Sequence, residues 1–585
     1  MYKNKNCGEL TLKNLNEIVL VAGWVSKTRN LGSLIFIDLR DRSGIVQLAC
    51  KDSNPIFKSL TEIKSEFVLS AQGKIVIRES INPNIKTGEV EIELINVKVL
   101  SQAMLTPFEI KDDLEASEDL RLEYRYLDLR RPIVQSKLIL RHKMISSIRS
   151  YLDSKDYIEI ETPAFGKSTP EGARDYLVPS RIHPGAFYAL PQSPQIYKQL
   201  LMISGFEKYY QVARCFRDED LRADRQMEFT QIDIEASFVD EEDIMALMEG
   251  MIVKIMKDCL NIDIKIPMKR IPFLESMDKY GCDKPDLRFG LELVDITNIS
   301  KDIDFIVYKE ALAKKGVIKA INLKHAASKY SRKDIEKLSE YIKKFKTNNL
   351  IWIKKEEEYS SSINKYLSED YIKNLENVLT IEKGDLVLLI AGKKDVVNQS
   401  LAYLRNYFGK DLNLIKENQF EYAWITNFPS FEYNEEEDRY DATHHPFTSP
   451  KDDCKDKILS EPENCYSKHY DMVLNGYELG SGSIRIFEDS VQREMFKALG
   501  LSENDINEKF GFFTNALKYG TPPHGGIALG IDRLAMLFTN STTIRDVIAF
   551  PKNANAVCPM SKAPSLVDEK QLKDLHIKVI KDEKN

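Results

Sequence analysis

Short apolar runs alternate with turn-forming residues through the first hundred positions. Runs at 18–26, 33–40, 44–50, 67–78 and 89–100 are rich in Val, Ile and Leu, and Asn30-Leu31-Gly32 and Ser43-Gly44 separate the early ones. Such runs, bounded by turn signals, predict five strands. The segment 55–66 predicts a helix between the third and fourth. After an acidic linker at 105–120 the period changes. Leu138, Leu140, Met144, Ile145, Ile148 and Leu152 recur at helical spacing and predict a long amphipathic helix over 135–155. It leads into a strand ending Glu161-Thr162-Pro163.

Five strands with a helix in that place predict an OB barrel, whose open face commonly binds oligonucleotides. Another small β-barrel with no nucleic-acid role fits the strand count as well. Residues 187–238 mix strands, turns and a short helix. From 286 to 420 lysine becomes dense and distinctive motifs disappear, which predicts an inserted domain. Motif-rich sequence returns over 423–552, and the last thirty residues read as a helical or loose extension. The expected division is 1–105 (barrel), 106–132 (hinge), 133–285 and 421–555 (two parts of a main domain), 286–420 (insertion) and 556–585 (extension).

At 585 residues the chain exceeds one core, so several domains are expected in any case. No run approaches the ~18–20 apolar residues of a membrane helix. Residues 1–10 are polar and carry no secretory signal, so a cytoplasmic location is expected, with no membrane partner. None of the eight cysteines sits in a CxxC pair, which favours free thiols over a disulfide framework or a zinc site. The net charge of −7 argues against non-specific binding to duplex DNA, but leaves room for a local basic face that reads one structured RNA.

Two stretches carry candidate chemistry. In the first, Tyr209-Tyr-Gln-Val-Ala-Arg-Cys-Phe-Arg217-Asp218-Glu219 runs out, and Arg225-Gln226-Met227-Glu228-Phe229-Thr-Gln231-Ile-Asp233-Ile-Glu235 returns. With a side-chain period of two, Ala213, Cys215 and Arg217 share one face, and Phe229, Gln231, Asp233 and Glu235 share another. Together they make a floor on which an aromatic ring stacks a base and an arginine contacts phosphate. A charged hairpin with solvated ions is the plainer alternative. In the second, Gly525-Gly-Ile-Ala-Leu-Gly530-Ile531-Asp532-Arg533 passes from an apolar strand through a glycine into a helix. Arg533 lies in the first turn, near free backbone N–H groups, a place for a phosphate or a stacked base. An ordinary strand–helix junction is the alternative there. Neither a GxGxxG nor a GxxxxGK[ST] pattern is present.

Taken together, the two stretches resemble motifs 2 and 3 of the class II aminoacyl-tRNA synthetases. The helix and strand ending at Pro163 resemble motif 1, which forms the dimer interface in that family. The segments 120–132, Thr169-Pro-Glu171-Gly-Ala-Arg-Asp-Tyr-Leu-Val-Pro-Ser180, Leu190-Pro-Gln-Ser-Pro-Gln195-Ile-Tyr-Lys198, His444-His-Pro-Phe-Thr-Ser-Pro450, Asn475-Gly-Tyr-Glu478-Leu-Gly-Ser-Gly-Ser-Ile-Arg485 and Tyr519-Gly-Thr-Pro-Pro-His524-Gly are similar to the bacterial type of aspartyl-tRNA synthetase. The resemblance spans nearly the whole chain and is weakest over 286–420, where the bacterial enzymes carry an insertion that eukaryotic and archaeal ones lack. It implies an α+β multidomain protein. An N-terminal OB-fold barrel would precede a catalytic domain of antiparallel sheet flanked by helices, interrupted by an inserted α+β domain.

The resemblance also implies a homodimer that uses ATP, Mg2+, L-aspartate and tRNA(Asp), and it assigns roles. Glu171 would contact the substrate ammonium from a mobile loop, and Gln195 and Lys198 would bind aspartate. Arg217 would bridge the substrate carboxylate and the α-phosphate. Asp218, Glu219, Gln226, Gly530, Ile531 and Asp532 would line the ATP site, with Phe229 and Arg533 sandwiching adenine. Asp471 and Glu478 would hold magnesium on the phosphates. His444 and Arg485 would touch the substrate, the arginine gripping its side-chain carboxylate. In the barrel, Phe36 and Gln47 match residues that stack on and read the central anticodon base, with Arg29, Leu31 and Arg78 beside them. The Asn30-Leu31-Gly32 turn resembles enzymes strict for tRNA(Asp), whereas some members also charge tRNA(Asn). Met227 stands where many relatives have proline, and Leu529 where phenylalanine is common.

The residues themselves favour an anionic substrate. Lys198 and Arg485 are both cationic in ordinary settings. Facing one small cavity, they are satisfied by an acidic side chain, and asparagine would leave them under-compensated at a cost of roughly a few kcal/mol. Lysine would meet like charge. Lys198 as a solvated helix lysine and Arg485 as a strand–strand salt bridge are the structural alternatives. His444 and His445 are adjacent, so in a strand they face opposite sides and do not share a zinc ion. Magnesium held by one or two carboxylates fits better. Phe36 as a plain barrel-core ring is the alternative to a stacking surface for single-stranded bases.

Overall fold

The structure, a computed structural model, describes residues 1–169 and 172–580. Two compact units divide the chain: 1–136 with 558–563, and 137–557 with the remaining C-terminal residues.

The first unit holds a closed barrel of β1 (Ile18–Asn30), β2 (Leu34–Asp41), β3 (Gly44–Lys51), β4 (Val68–Ile77) and β5 (Val90–Ser101), in the order β1-β2-β3-β5-β4. Strand alternation decides its inside. Val19, Val21, Ile35, Ile37, Leu39, Ile75 and Ile92 are buried together, while their neighbours in sequence face outward. Each such side chain contributes about 1.5–3 kcal/mol when buried, so a one-residue slip would turn the whole set into water. The helix expected over 55–66 is reduced to a single turn, Phe57–Leu60.

In the second unit the helix predicted over 135–155 is α1 (Pro132–Asp153), opened by a proline at its first position. Next come β6 (Ile158–Glu159), α2 (Gln195–Ile203), β7 (Lys208–Phe216), β8 (Glu228–Ser237), α3 (Glu241–Leu260), β9 (Lys269–Pro272) and α4 (Phe273–Lys279). The strand expected to end at Pro163 is only the two residues of β6.

The insertion contributes a separate antiparallel sheet of β10 (Val294–Asp295), β11 (Val317–Leu323), β12 (Ile351–Lys355), β13 (Tyr359–Ser361) and β14 (Leu386–Gly392), ordered β10-β11-β14-β12-β13. Apolar clusters cover both of its faces, which is why β14 reads Leu-Val-Leu-Leu-Ile-Ala without alternation. Helix α5 (Lys394–Asp411) closes one side.

The chain then returns through β15 (Tyr422–Thr426), β16 (His469–Leu474), β17 (Tyr477–Ile484), β18 (His524–Gly530) and α6 (Ile531–Phe538). The main sheet has eight strands in the order β9-β15-β16-β17-β18-β8-β7-β6. The central pairs are antiparallel, and the two edge pairs, β9–β15 and β6–β7, are parallel. Because β9 and β15 are neighbours, the chain leaves and rejoins the sheet at adjacent places, so a whole domain fits between them.

Period two divides this sheet into a core face and a site face. Ile232, Ile234 and Ala236 of β8, with Ile527 and Leu529 of β18, pack among Met144, Ile148, Met248, Met251 and Ile255 of α1 and α3. Phe229, Gln231, Asp233 and Glu235 therefore point the other way. Leu529 is buried in this core, on the face away from the site. Among the described residues no helix is long and apolar enough to cross a membrane, and all eight cysteines are free thiols.

Candidate active site and nucleic-acid face

The site face is built on β8. Its register sets Gln231, Asp233 and Glu235 opposite Gly530, Ala528 and Gly526 of β18. A Cβ at Gly526 would lie 2.1 Å from the Glu235 carboxylate and from the Ile234 carbonyl, so only glycine admits that carboxylate.

At one end lies a cavity of about 210 Å³, lined by Arg217, Glu219, Gln226, Phe229, Glu478 and Arg533 among others. Arg217 was expected within the outgoing strand. It stands one residue beyond β7, its backbone N–H bonded to Met227 O at 2.9 Å, and its guanidinium carbon lies 5.0 Å from the Phe229 ring centre. That backbone bond holds the turn where proline is commoner. Arg533 donates to the Glu478 carbonyl and to Asp224 Oδ2 (3.1 Å). Asp532 lines the cavity, but its carboxylate is occupied: Thr230 N–H donates to it at 2.9 Å and Arg141 of α1 pairs with it. Gly530 and Ile531 form the strand–helix corner. Glu219 pairs with Arg225 at 3.0 Å, and Asp218 contacts Arg174 at 3.7 Å. Gln226 accepts from the Lys552 N–H at 3.0 Å. The amide nitrogens of Gln226 and Gln231, both buried, have no partner among the described residues. Buried donors left open in a cavity are what a polar ligand satisfies.

Asp471 and Glu478 stand on the neighbouring strands β16 and β17. Burial pushes the Asp471 carboxyl up to about 6, and burial together with the charge of Asp471 raises Glu478. Asp471 Oδ1 is bonded to His469 Nε2 at 2.8 Å, while the Glu478 backbone carbonyl accepts from Arg533. A buried carboxylate whose charge disfavours ionisation of its half-buried neighbour fits a divalent cation, which reverses that penalty. Among the described residues no group of three or more ligating side chains occurs, so the remaining ligands would be phosphate oxygens and water.

The other end holds the two cations singled out in sequence. Lys198 and Arg485 are both 1% exposed. Lys198 Nζ lies 3.1 Å from Asp233 and 3.4 Å from Glu235. Arg485 grips both oxygens of Glu235, at 2.9 and 3.1 Å, and bonds Ser483 Oγ at 2.7 Å and His445 Nε2 at 2.8 Å. The expectation of an uncompensated positive pair is therefore corrected. Two protein carboxylates neutralise it, because two bare cations at this depth would cost several kcal/mol each. Donors nevertheless remain. Arg485 uses four of its five N–H groups, and Lys198 donates one hydrogen bond, to Asp233, so donors remain on both. Asp233 Oδ2 is buried without a partner. Gln195 is buried and bonded to Gln199 at 2.9 Å.

His444 and His445 lie in a bend and loop rather than a strand, and they take different partners: His445 meets Arg485. His444 stacks on His469 with ring centres 3.3 Å apart, and burial lowers it to about 3, so it stays neutral. Glu171 lies outside the described residues. Sequence reasoning missed Asp233 and Glu235 as countercharges and His445 as the Arg485 partner. The alternation of acidic residues along β8 was the available signal for the first two.

On the barrel, Phe36 sits between the buried Ile35 and Ile37 and faces outward, so it is not a core ring. Arg29 and Arg78 each donate to Gln47 Oε1 at 2.9 Å, and Gln47 donates to Glu91 at 2.5 Å. The Arg29 guanidinium lies 5.7 Å from the Phe36 ring centre. Leu31, at the turn, is exposed, and all of these line a cavity of about 540 Å³. Glu91, missed in sequence, is paired in register with Gln47.

Comparison with known proteins now decides the family. Residues 117–554 match the family described as tRNA synthetases class II (D, K and N), and residues 19–100 match the OB-fold nucleic acid binding domain. A protein of Thermoanaerobacter sp. (strain X514) named "Aspartate--tRNA(Asp/Asn) ligase" is 54% identical over 578 residues, 98% of each chain. One of Geobacillus kaustophilus (strain HTA426) named "Aspartate--tRNA ligase" is 52% identical over 585 residues, 99% of each. The chain belongs to the class II aspartate–tRNA ligases. Its fold is also that of the asparaginyl-tRNA synthetase of Pyrococcus horikoshii solved with asparaginyl-adenylate, with a TM-score of 0.59 at 18% identity, covering 94% of this chain and 98% of that one.

Proposed function

We propose that the protein activates L-aspartate with ATP and transfers it to the 3′-terminal adenosine of tRNA(Asp). The observation that carries this is the layout of one strand. Phe229, Gln231, Asp233 and Glu235 occupy one face of β8, so the strand that lines the cavity at Phe229 and Gln231 carries the carboxylates that meet Lys198 and Arg485 two and four residues further on.

In this reading adenine lies between Phe229 and Arg533, and the open amides of Gln226 and Gln231 bond the nucleotide and the amino acid. Gly530 and Ile531 let the ligand approach the backbone, while Glu219 and Asp218 orient the loop around it. Arg217 contacts the α-phosphate and the attacking carboxylate. The spare N–H groups of Lys198 and Arg485 take the two oxygens of the aspartate side chain, and Asp233 Oδ2, Gln195 and Glu171 receive the ammonium. His444 and its stacked partner His469 line the site as neutral rings. Asp471 and Glu478 would hold Mg2+, which would screen the phosphate charges.

The aspartate carboxylate attacks the α-phosphorus in line and pyrophosphate leaves. The tRNA 3′-hydroxyl then attacks the adenylate carbonyl, its proton passes to a phosphate oxygen, and the bond to the phosphate breaks as AMP leaves. Positioning and charge stabilisation account for such a reaction without a covalent enzyme intermediate. The barrel binds the anticodon with Phe36 as a stacking surface and with Gln47, Arg29, Leu31 and Arg78 around it. The protein acts as a cytoplasmic homodimer.

The test is magnesium-dependent ATP–pyrophosphate exchange against each standard amino acid. Exchange with aspartate alone is expected, and exchange with asparagine or lysine instead would overturn the assignment of Lys198 and Arg485. Phe36→Ala is expected to weaken tRNA charging about 5–100-fold, since stacking on an aromatic ring is worth ~1–3 kcal/mol, while leaving exchange intact. Lost exchange in that variant would argue against a separate anticodon face. Charging of tRNA(Asn) as well is favoured by the name of the Thermoanaerobacter relative, and charging assays with both tRNAs decide between the two ranges.

A further inference from the structure

A chain of buried polar side chains runs from the start of β18 to the first turn of α2. His524, which opens β18, and Gln199 of α2 are both fully buried. His524 Nδ1 lies 2.8 Å from the Pro522 carbonyl oxygen, and its Nε2 lies 3.2 Å from the side-chain nitrogen of Gln199. The other atom of that amide, Gln199 Oε1, is 2.9 Å from Gln195 Nε2. Gln195 is buried as well, and among the described residues its Oε1 has no hydrogen-bond partner.

The order of donors along this chain is fixed from its far end. A backbone carbonyl only accepts, so His524 Nδ1 carries the proton. Burial lowers the pKa of the ring, against the pull of Glu235 and the Pro522 carbonyl, so Nε2 keeps its lone pair. Gln199 must then turn its nitrogen to His524 and its oxygen to Gln195, and Gln195 must turn its nitrogen to Gln199. That leaves the Gln195 oxygen, an acceptor, as the open atom. The helix brings it to the cluster. Gln195 and Lys198 are three residues apart, on one face of α2. Lys198 meets Asp233 and Glu235, and Met202, one turn on, accepts from Ser237 Oγ at 3.2 Å. The N-terminal end of α2 therefore lies toward Gln231, at the end of β8 that lines the cavity.

The geometry points to Gln199 and His524 as positioning residues: they hold the Gln195 carboxamide with its oxygen toward the site, where it accepts from the ammonium of aspartate. This inference rests on the reading of the cluster as the aspartate site. An ammonium group has three donors and no acceptor, so it needs oxygens around it. Asp233 Oδ2, buried and without a partner among the described residues, supplies one, and Gln195 Oε1 supplies a second. A freely turning amide would also present its NH2, which meets an ammonium with like polarity. The relay removes that choice in advance of binding, and does so without adding a charge. It also separates the two ends of the substrate, since the donors of Lys198 and Arg485 are left for the side-chain carboxylate.

The test is exchange kinetics with the full-length protein as wild type, Gln195→Met, Gln199→Met, His524→Leu and His524→Gln. Methionine keeps the length of glutamine and removes both of its hydrogen-bonding atoms. Wild-type exchange with aspartate and a raised aspartate KM in Gln195→Met establish the site reading independently. Gln199→Met and His524→Leu are then expected to raise the KM for aspartate roughly 5–10-fold, the scale of one buried hydrogen bond, with kcat and the KM for ATP unchanged. Competitive inhibition by succinate, which is aspartate without its ammonium group, should keep its wild-type strength in both. His524→Gln, whose amide oxygen accepts in place of Nε2, should recover most of the loss. A wild-type aspartate KM in Gln199→Met, beside a raised one in Gln195→Met, would overturn the relay alone. Equal weakening of aspartate and succinate would also overturn it, because that marks a general distortion of the pocket. An unaltered aspartate KM in Gln195→Met would instead overturn the site reading, and the inference with it.

Discussion

Replacing Arg217 by alanine is expected to lower aspartate-dependent pyrophosphate exchange by about 10²–10³-fold or more, the range seen when a preorganised charge-stabilising donor is removed. The structure gives this residue no other occupation. Among the described residues it has no carboxylate within ion-pair distance; its guanidinium lies over Phe229 inside the cavity. Its backbone N–H, not its side chain, braces the hairpin, so truncation at Cβ leaves the fold intact. The loss should fall on the single-turnover rate of adenylate formation, with little change in melting temperature. Arg217→Lys should keep part of the rate, because charge survives but two-point contact does not. Normal adenylation by Arg217→Ala would remove the assigned role.

Arg485 should show the opposite balance between stability and chemistry. Arg485→Leu leaves the Glu235 carboxylate in the core with Lys198 as its remaining cation. Breaking a buried pair on one side costs about 3–5 kcal/mol, so urea unfolding should show a loss of that size. Arg485→Lys keeps a charge beside Glu235 but gives up the fork that also reaches Ser483 and His445. It is expected to fold, and to raise the KM for aspartate roughly 10–100-fold, as expected when a charged hydrogen bond worth about 1.5–3 kcal/mol is lost. An aspartate KM equal to wild type in Arg485→Lys would show that the side-chain carboxylate binds elsewhere.

Some of this architecture was legible without coordinates. The barrel strands come within a few residues of their observed limits, because inside–outside alternation is a local property and each strand carries its own record of it. The floor made by β8 was legible for the same reason: period two puts Phe229, Gln231, Asp233 and Glu235 on one face wherever the strand is placed. The short turn at Phe57–Leu60 was over-read as a helix, since local propensity says little about how much chain the barrel needs to bridge two strands. The insertion announced itself by composition, yet its five-stranded sheet did not, because its apolar runs are short and carry no chemical motif.

What the sequence by itself determined is the barrel strands, the long helix α1, the face each side chain takes along its own element, and the family. What only the tertiary structure decided is which charges meet. Lys198 and Glu235 are 37 positions apart, and Arg485 is 250 from Glu235. Whether those cations stand bare or paired depends on α2 packing against β8 and on β17 lying two strands away from it. The same holds for the choice between His444 and His445. Coulomb interactions at 3–4 Å depend on distances that no local pattern records, whereas the burial of an apolar face depends on a period that every few residues repeat.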